Sequence, residues 1–170
     1  MTADRRALPI APLTRAAFAP YGEVVDPAGV EPQVVNAGTA QRFAPLATVQ
    51  LVEEIPPATA MLGLYRAQPR ALPLPLLELE RHSLGSQAFV PLAPGRYLVV
   101  VAGAKTEPGP ADVRVFLASG QQGVNLHSGV WHHALLALDR ESEFLVVERT
   151  SSAGNLERLA TASWGLWIDG

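Results

Sequence analysis

In the stretch ELERHSLGSQAFVPL, Glu78, Glu80 and His82 recur at every second position, with apolar Leu79 among them. A strand sends alternate side chains to one face, so two carboxylates and an imidazole would line a single wall. The other three histidines, His127, His132 and His133, all fall in GQQGVNLHSGVWHHALLAL. That segment reads as strand, turn at Gly129, strand. His132 then shares a face with Ala134, Leu136 and Leu138, and His133 faces the other way with Leu135. In a closed sheet only one of this adjacent pair can point inside. The short turn SLGS brings Gln87, at the start of the next strand, beside His82. Glu80, His82, Gln87 and His132 would then present two imidazoles, a carboxylate and an amide oxygen. Such donors suit nickel, manganese, iron or zinc rather than a soft metal. By spacing alone, a hydrogen-bonded polar network inside the core accounts for them equally well.

The elements that must carry these groups are strands. Fifteen prolines and fourteen glycines leave few helix-length windows before Pro110, because an interior proline costs a helix roughly 3 kcal/mol. The best helical window is Thr14–Phe18, with Thr14 as its N-cap and Pro20 beyond its end. Apolar runs bounded by turn residues predict strands near 47–53, 60–67, 76–82, 86–92, 96–103, 112–118, 123–127, 131–138 and 143–149. KTEPGPAD, residues 105–112, reads as an exposed connection. Many short strands joined by tight turns point to a sandwich or small barrel. One domain over 1–170 is expected, with 1–35 as an N-terminal extension bearing the short helix and 150–170 as a tail packing tryptophans on the body.

Composition narrows the function. Net charge is only −3 and no basic run occurs, which leaves nucleic-acid binding without electrostatic support. The absence of cysteine excludes a disulfide scaffold, a thiolate metal site and a cysteine nucleophile. Pro9 and Pro12 interrupt the one apolar stretch near the start, so neither a signal peptide nor a membrane span is expected, and the cytoplasm is the expected location.

The histidine segments also carry a resemblance. Glu80-Arg81-His82, four residues, Gln87 and then Gly95, followed later by His127-Ser-Gly129-Val-Trp-His132, are similar to the two motifs of the cupin superfamily. Glu80 stands where the first motif has a histidine, Gln87 where it has a glutamate, and His127 where the second has a proline. YGEVV, VNAGTAQRF, YRAQPRALPL, ELERHSLGSQAFVPL, RVFLASGQQGVNLHSGVWHHALL and FLVVER occur in the order of the ureidoglycolate lyase family, once called ureidoglycolate hydrolases, of the allantoin pathway. The resemblance implies a mostly β, cupin-type barrel or jelly roll with a few short helices. It also implies a homodimer, a divalent metal, most often nickel, and cleavage of ureidoglycolate to glyoxylate and urea. The rival readings are an amidohydrolase releasing ammonia and carbon dioxide, and a cupin that binds a small organic acid without turnover.

That substrate assigns roles. Ureidoglycolate carries a hydroxyl, a carboxylate and a ureido nitrogen on one carbon, so C–N cleavage needs a base for the hydroxyl and an acid for the nitrogen. With a metal, Glu80, His82, Gln87 and His132 are its expected ligands and His127 transfers the proton. Without one, Glu80 and His132 form the acid–base pair. Arg66, on a face with Leu62 and Leu64, is a candidate fork for the substrate carboxylate, with a surface salt bridge as the even alternative. Arg42 is the second candidate. Asn36 and Asn125 could hold the ureido group or be turn residues. Arg81 alternates away from the site, Glu78 stands at its rim or orients a histidine, and Trp131 packs.

Overall fold

The computed structural model describes residues 5–52, 57–150 and 154–170. In chain order its elements are β1 (Arg6–Leu8), β2 (Ile10–Pro12), helix α1 (Arg15–Phe18), β3 (Gly22–Val25), β4 (Gln33–Val35), β5 (Ala40–Arg42), β6 (Ala60–Ala67), β7 (Leu74–Pro75), β8 (Glu78–His82), β9 (Gln87–Pro91), β10 (Tyr97–Gly103), β11 (Arg114–Ala118), β12 (Gly123–Leu126), β13 (Trp131–His132), β14 (Leu136–Ala137), β15 (Ser142–Arg149), β16 (Leu156–Ala160) and β17 (Leu166–Ile168), with short 3-10 turns between some of them.

Two sheets face each other. One runs β3-β12-β9-β15-β6, and the other β16-β8-β13-β10-β11-β2 with β14 also on β10. Between them lies a core that includes Phe89, Val99, Val101, Phe116, Val124, Phe144 and Val146. A third, small sheet, β1-β17-β7, covers the outside of the second, and Leu79, Leu98, Val100, Trp131, Leu166 and Ile168 belong to the core beneath it. This explains why β10 reads as an unbroken apolar run. Val99 and Val101 face one core while Leu98, Val100 and Ala102 face the other, and a strand buried on both sides does not alternate. The fold is a mostly β, jelly-roll sandwich of the cupin type.

Most expected strands form within a residue or two of their predicted ends. Thr14 caps α1, its Oγ1 accepting from Ala17 N–H at 3.2 Å. Three expectations differ. The 47–53 run forms no strand among its described residues and has only an isolated bridge, Leu51 to Gly85; residue 53 lies outside the described residues. The 131–138 strand is broken into β13 and β14. The segments read as extension and tail are woven in, since β2 and β3 pair with β11 and β12, and β16 pairs with β8.

Candidate metal and substrate site

His132 stands opposite Glu80 where β13 pairs with β8, and opposite Val101 where β13 pairs with β10. Val101 belongs to the core between the sheets, so Glu80, His82 and His132 all face inward; Leu136 and Leu138, expected on the His132 face, belong to the other core because the strand breaks after His132. Leu79 points the other way and is fully buried. The ligand atoms of Glu80, His82 and His132 lie within 4.8 Å of one another. The two imidazoles stack with centroids 5.6 Å apart, and His132 Nε2 is 3.8 Å from Glu80 Oε1.

The tautomer of His132 follows from its partner. Nδ1 lies 2.9 Å from the Val130 carbonyl oxygen, and a carbonyl only accepts, so Nδ1 carries the hydrogen and Nε2 offers a lone pair. Burial drives the imidazole pKa down to about 4. The nearby His82 and His133 rings push the same way, and the Val130 carbonyl opposes them. His132 is therefore neutral near pH 7, as a ligand must be. Gln87 reaches the site from the facing sheet. Its Nε2 donates to Glu148 Oε2 at 2.7 Å, which leaves Oε1 as the free acceptor. His82 Nε2, Gln87 Oε1 and His132 Nε2 are all buried without a hydrogen-bond partner. Buried polar atoms seldom go unpaired, and three beside a carboxylate in one site point to a cation or a further hydrogen-bonding group there. The donor set fits a divalent metal, with Glu80, His82, Gln87 and His132 available to hold it.

Gln87 was expected beside His82 on a neighbouring strand. Instead β8 and β9 belong to opposite sheets, and the two side chains meet across the cavity between them. That cavity, about 480 Å³, is lined by Tyr65, Glu80, His82, Gln87, Leu156 and Arg158 among others. Its far wall holds Tyr65, whose hydroxyl is 3.5 Å from Glu148 Oε1. Burial raises the Tyr65 pKa, as do the charges of Glu148 and Glu80, so the phenol keeps its proton.

A family model described as "Ureidoglycolate lyase" matches residues 5–168. The chain belongs to the ureidoglycolate lyase family. The ureidoglycolate lyase of Pseudomonas aeruginosa (strain LESB58) is 45% identical over 152 residues, covering 89% of each chain. That of Burkholderia mallei (strain NCTC 10229) is 45% identical over 161 residues, covering 94% of this chain and 93% of its own. A solved dTDP sugar isomerase from Desulfovibrio desulfuricans G20 aligns with a TM-score of 0.47 and 18% identity, over 82% of this chain and 85% of its own.

The other residues singled out from the sequence do not converge on this ureidoglycolate lyase family site. His127 lines a different depression with Arg15 and Glu23, and its Nε2 lies 3.3 Å from Glu23 Oε2. Arg66 does share a face with Leu62 and Leu64, but the face is the outer one. Its Nε and a terminal nitrogen both donate to Glu143 at the rim of the cavity. Arg42 donates to Gln33 within the β4–β5 hairpin. Asn36 starts a turn at φ 52. Asn125 is buried on the far side of β12, where its Nδ2 donates to Glu23 and to the Thr48 carbonyl. Arg81 points away from the cavity, as expected. It stacks over Trp131, 4.6 Å from the ring centroid, and forks onto Glu157. The sequence reading missed Tyr65, Glu148 and Arg158. Glu148 was legible, since it alternates with Phe144 and Val146, two residues of the central core.

Proposed function

We propose that this chain is a ureidoglycolate lyase, cleaving (S)-ureidoglycolate to glyoxylate and urea. The observation that supports it most is the set of three unpartnered buried polar atoms, on His82, Gln87 and His132, at one site with Glu80, on a chain of this family. Glu80, His82, Gln87 and His132 would hold a divalent metal, nickel by family resemblance. When bound, the metal supplies a positive charge that acidifies the carbinol hydroxyl and offsets the Glu80 carboxylate.

Proton handling is assigned to the opposite wall. The sequence reading gave it to His127, which borders a different depression. Glu148 accepts the carbinol proton as the oxygen becomes a carbonyl. Tyr65 donates a proton to the ureido nitrogen as the C–N bond breaks. Passage of the proton from Glu148 to the Tyr65 oxygen then restores both groups. One proton leaves oxygen and one joins nitrogen, so no water is consumed and no electron acceptor is needed.

The decisive measurement is urea release from ureidoglycolate by chelated and by metal-reconstituted protein. Urea formed only after reconstitution supports the assignment. Ammonia without urea would replace it with the amidohydrolase, and binding without turnover with the acid-binding cupin. A cytoplasmic homodimer completes the proposal. Edge strand β6 exposes Leu62 and Leu64 at 73% and 56% on the outer face, apolar surface of the kind a second copy covers. Light scattering of the purified protein tests this. Among the described residues, no helix is long and apolar enough to cross a membrane.

A further inference from the structure

The proposed substrate is an anion, yet Glu80 lines the cavity that must receive it, Glu148 holds Gln87 and Tyr65 in its wall, and Glu78 precedes Glu80 on the same face of β8. A compensating cation has to come from the protein wall as well as from any metal. Two arginines border the cavity, Arg66 and Arg158. The Arg66 guanidinium is already engaged on the outer face, 2.6 Å from Glu143 and 3.6 Å from Glu141.

Arg158 is placed differently. On β16, Leu156, Arg158 and Ala160 stand opposite His82, Glu80 and Glu78. Residues directly opposite across an antiparallel pair share a face, so Arg158 lies on the inward side beside the metal-binding carboxylate. Its neighbour Glu157 faces outward and is fixed there by the Arg81 fork and by Ser83 Oγ at 2.5 Å. That outer lock holds the register that carries Arg158 over the cavity. Among the described residues Arg158 makes one ion pair, a loose one, with Nε 3.8 Å from Glu78 Oε1. A bidentate carboxylate would displace a contact of that length readily.

We infer that Arg158 is the carboxylate anchor of this cavity, taking a small 2-hydroxy acid by its carboxylate end and turning the carbinol carbon toward the Glu80, His82 and His132 cluster. This rests on the site assignment above but separates from it experimentally. Glycolate, which shares the hydroxyl and carboxylate but cannot release urea, is titrated calorimetrically against metal-loaded protein, with neutral glycolamide as its partner probe. Wild type is expected to bind glycolate more tightly than glycolamide. Arg158→Gln should weaken glycolate by about 10–100-fold, the size of a lost charge-assisted contact. It should leave glycolamide and metal stoichiometry unchanged, and raise KM for ureidoglycolate far more than it lowers kcat. Arg158→Lys should recover part of the loss. Arg66→Gln should shift glycolate binding less than threefold.

Glycolate binding unchanged in Arg158→Gln, equal loss of both probes, loss of metal, or no glycolate binding by wild type would each overturn the anchor. Wild-type protein that binds glycolate through Arg158 yet releases no urea would instead sink the lyase assignment and leave the anchor standing.

Discussion

Two places in this molecule set a histidine against a glutamate, and the closer pair is the less informative. His127 and Glu23 approach to 3.3 Å, with both side chains about one-third exposed. His132 and Glu80 are 3.8 Å apart, and His132 is almost wholly buried. The difference lies in what is left over. Around Glu23 the same Oε2 that meets His127 also accepts Asn125 Nδ2 at 2.8 Å, and one buried atom, Asn125 Oδ1, is left without a donor. Around Glu80, His82 Nε2, His132 Nε2 and Gln87 Oε1 have no donor. A water-exposed ion pair is satisfied with or without function. Several buried polar atoms left unpaired at one place, beside a carboxylate, point to a further group that binds among them.

The sharpest way to break this comparison is to remove one histidine from each place. His132→Ala or His82→Ala should abolish stoichiometric metal binding, measured by elemental analysis. Urea release should fall by about 1,000-fold or more, the scale on which essential catalytic groups act. His127→Ala should retain metal and keep activity within about threefold. Comparable losses in all three variants would mean that the unpartnered polar atoms do not mark the site.

The contrast was only partly visible in the sequence. Strict alternation in ELERH predicted the shared face of Glu80 and His82, and the structure keeps it. The same rule applied to β6 grouped Arg66 with Leu62 and Leu64 correctly, and of its two even readings the structure shows the surface salt bridge. Alternation fixes which residues share a face and leaves open which face is inside. Here the two leucines are exposed, and Tyr65 is the inward residue. In the expected strand 47–53, the described residues 47–52 instead run as a covering segment. There Gln50 N–H donates to Ser86 Oγ, and the Thr48 carbonyl accepts from Asn125. Arg158 was illegible for another reason. LERLA alternates, but only its pairing with β8 reveals that arginine and Leu156 face the cavity.

The next effect concerns the amide. Glu148 holds Gln87 Nε2 and so fixes which end of the amide is left as the free acceptor, Oε1. Glu148→Gln lets that amide turn over, because a glutamine side chain both donates and accepts. Metal affinity should fall by about 10–100-fold, the usual cost of losing a group that orients a ligand. Urea release should fall further, since the same change removes the proposed base. An unchanged metal affinity would show that Gln87 is outside the ligand set.

Acid should separate the two histidines next. His132 is held near 4 in the folded protein by burial, against about 6.5 when exposed. The unfolded chain therefore binds the extra proton first, and metal-free stability is full above about pH 6.5 and falls as pH drops toward 4. The loss approaches roughly 3 kcal/mol. Urea denaturation of metal-free protein at pH 7 and 4.5 measures it. His132→Gln should flatten the profile and His127→Gln should not.

The smallest effects belong to the exposed pair itself. His127→Ala removes a half-solvated contact and should change unfolding free energy by no more than about 1 kcal/mol. Glu23→Ala should cost somewhat more, because buried Asn125 Nδ2 then keeps only the Thr48 carbonyl as acceptor. The double variant should resemble Glu23→Ala alone, since His127 loses little once its carboxylate is gone. All three should bind metal and release urea nearly as wild type does. If Glu23→Ala instead lowered urea release in proportion to its loss of stability, the β3–β12 pairing beneath Asn125 would be coupled to the cavity through β9. The two histidine–carboxylate pairs would then be ends of one structure rather than separate places.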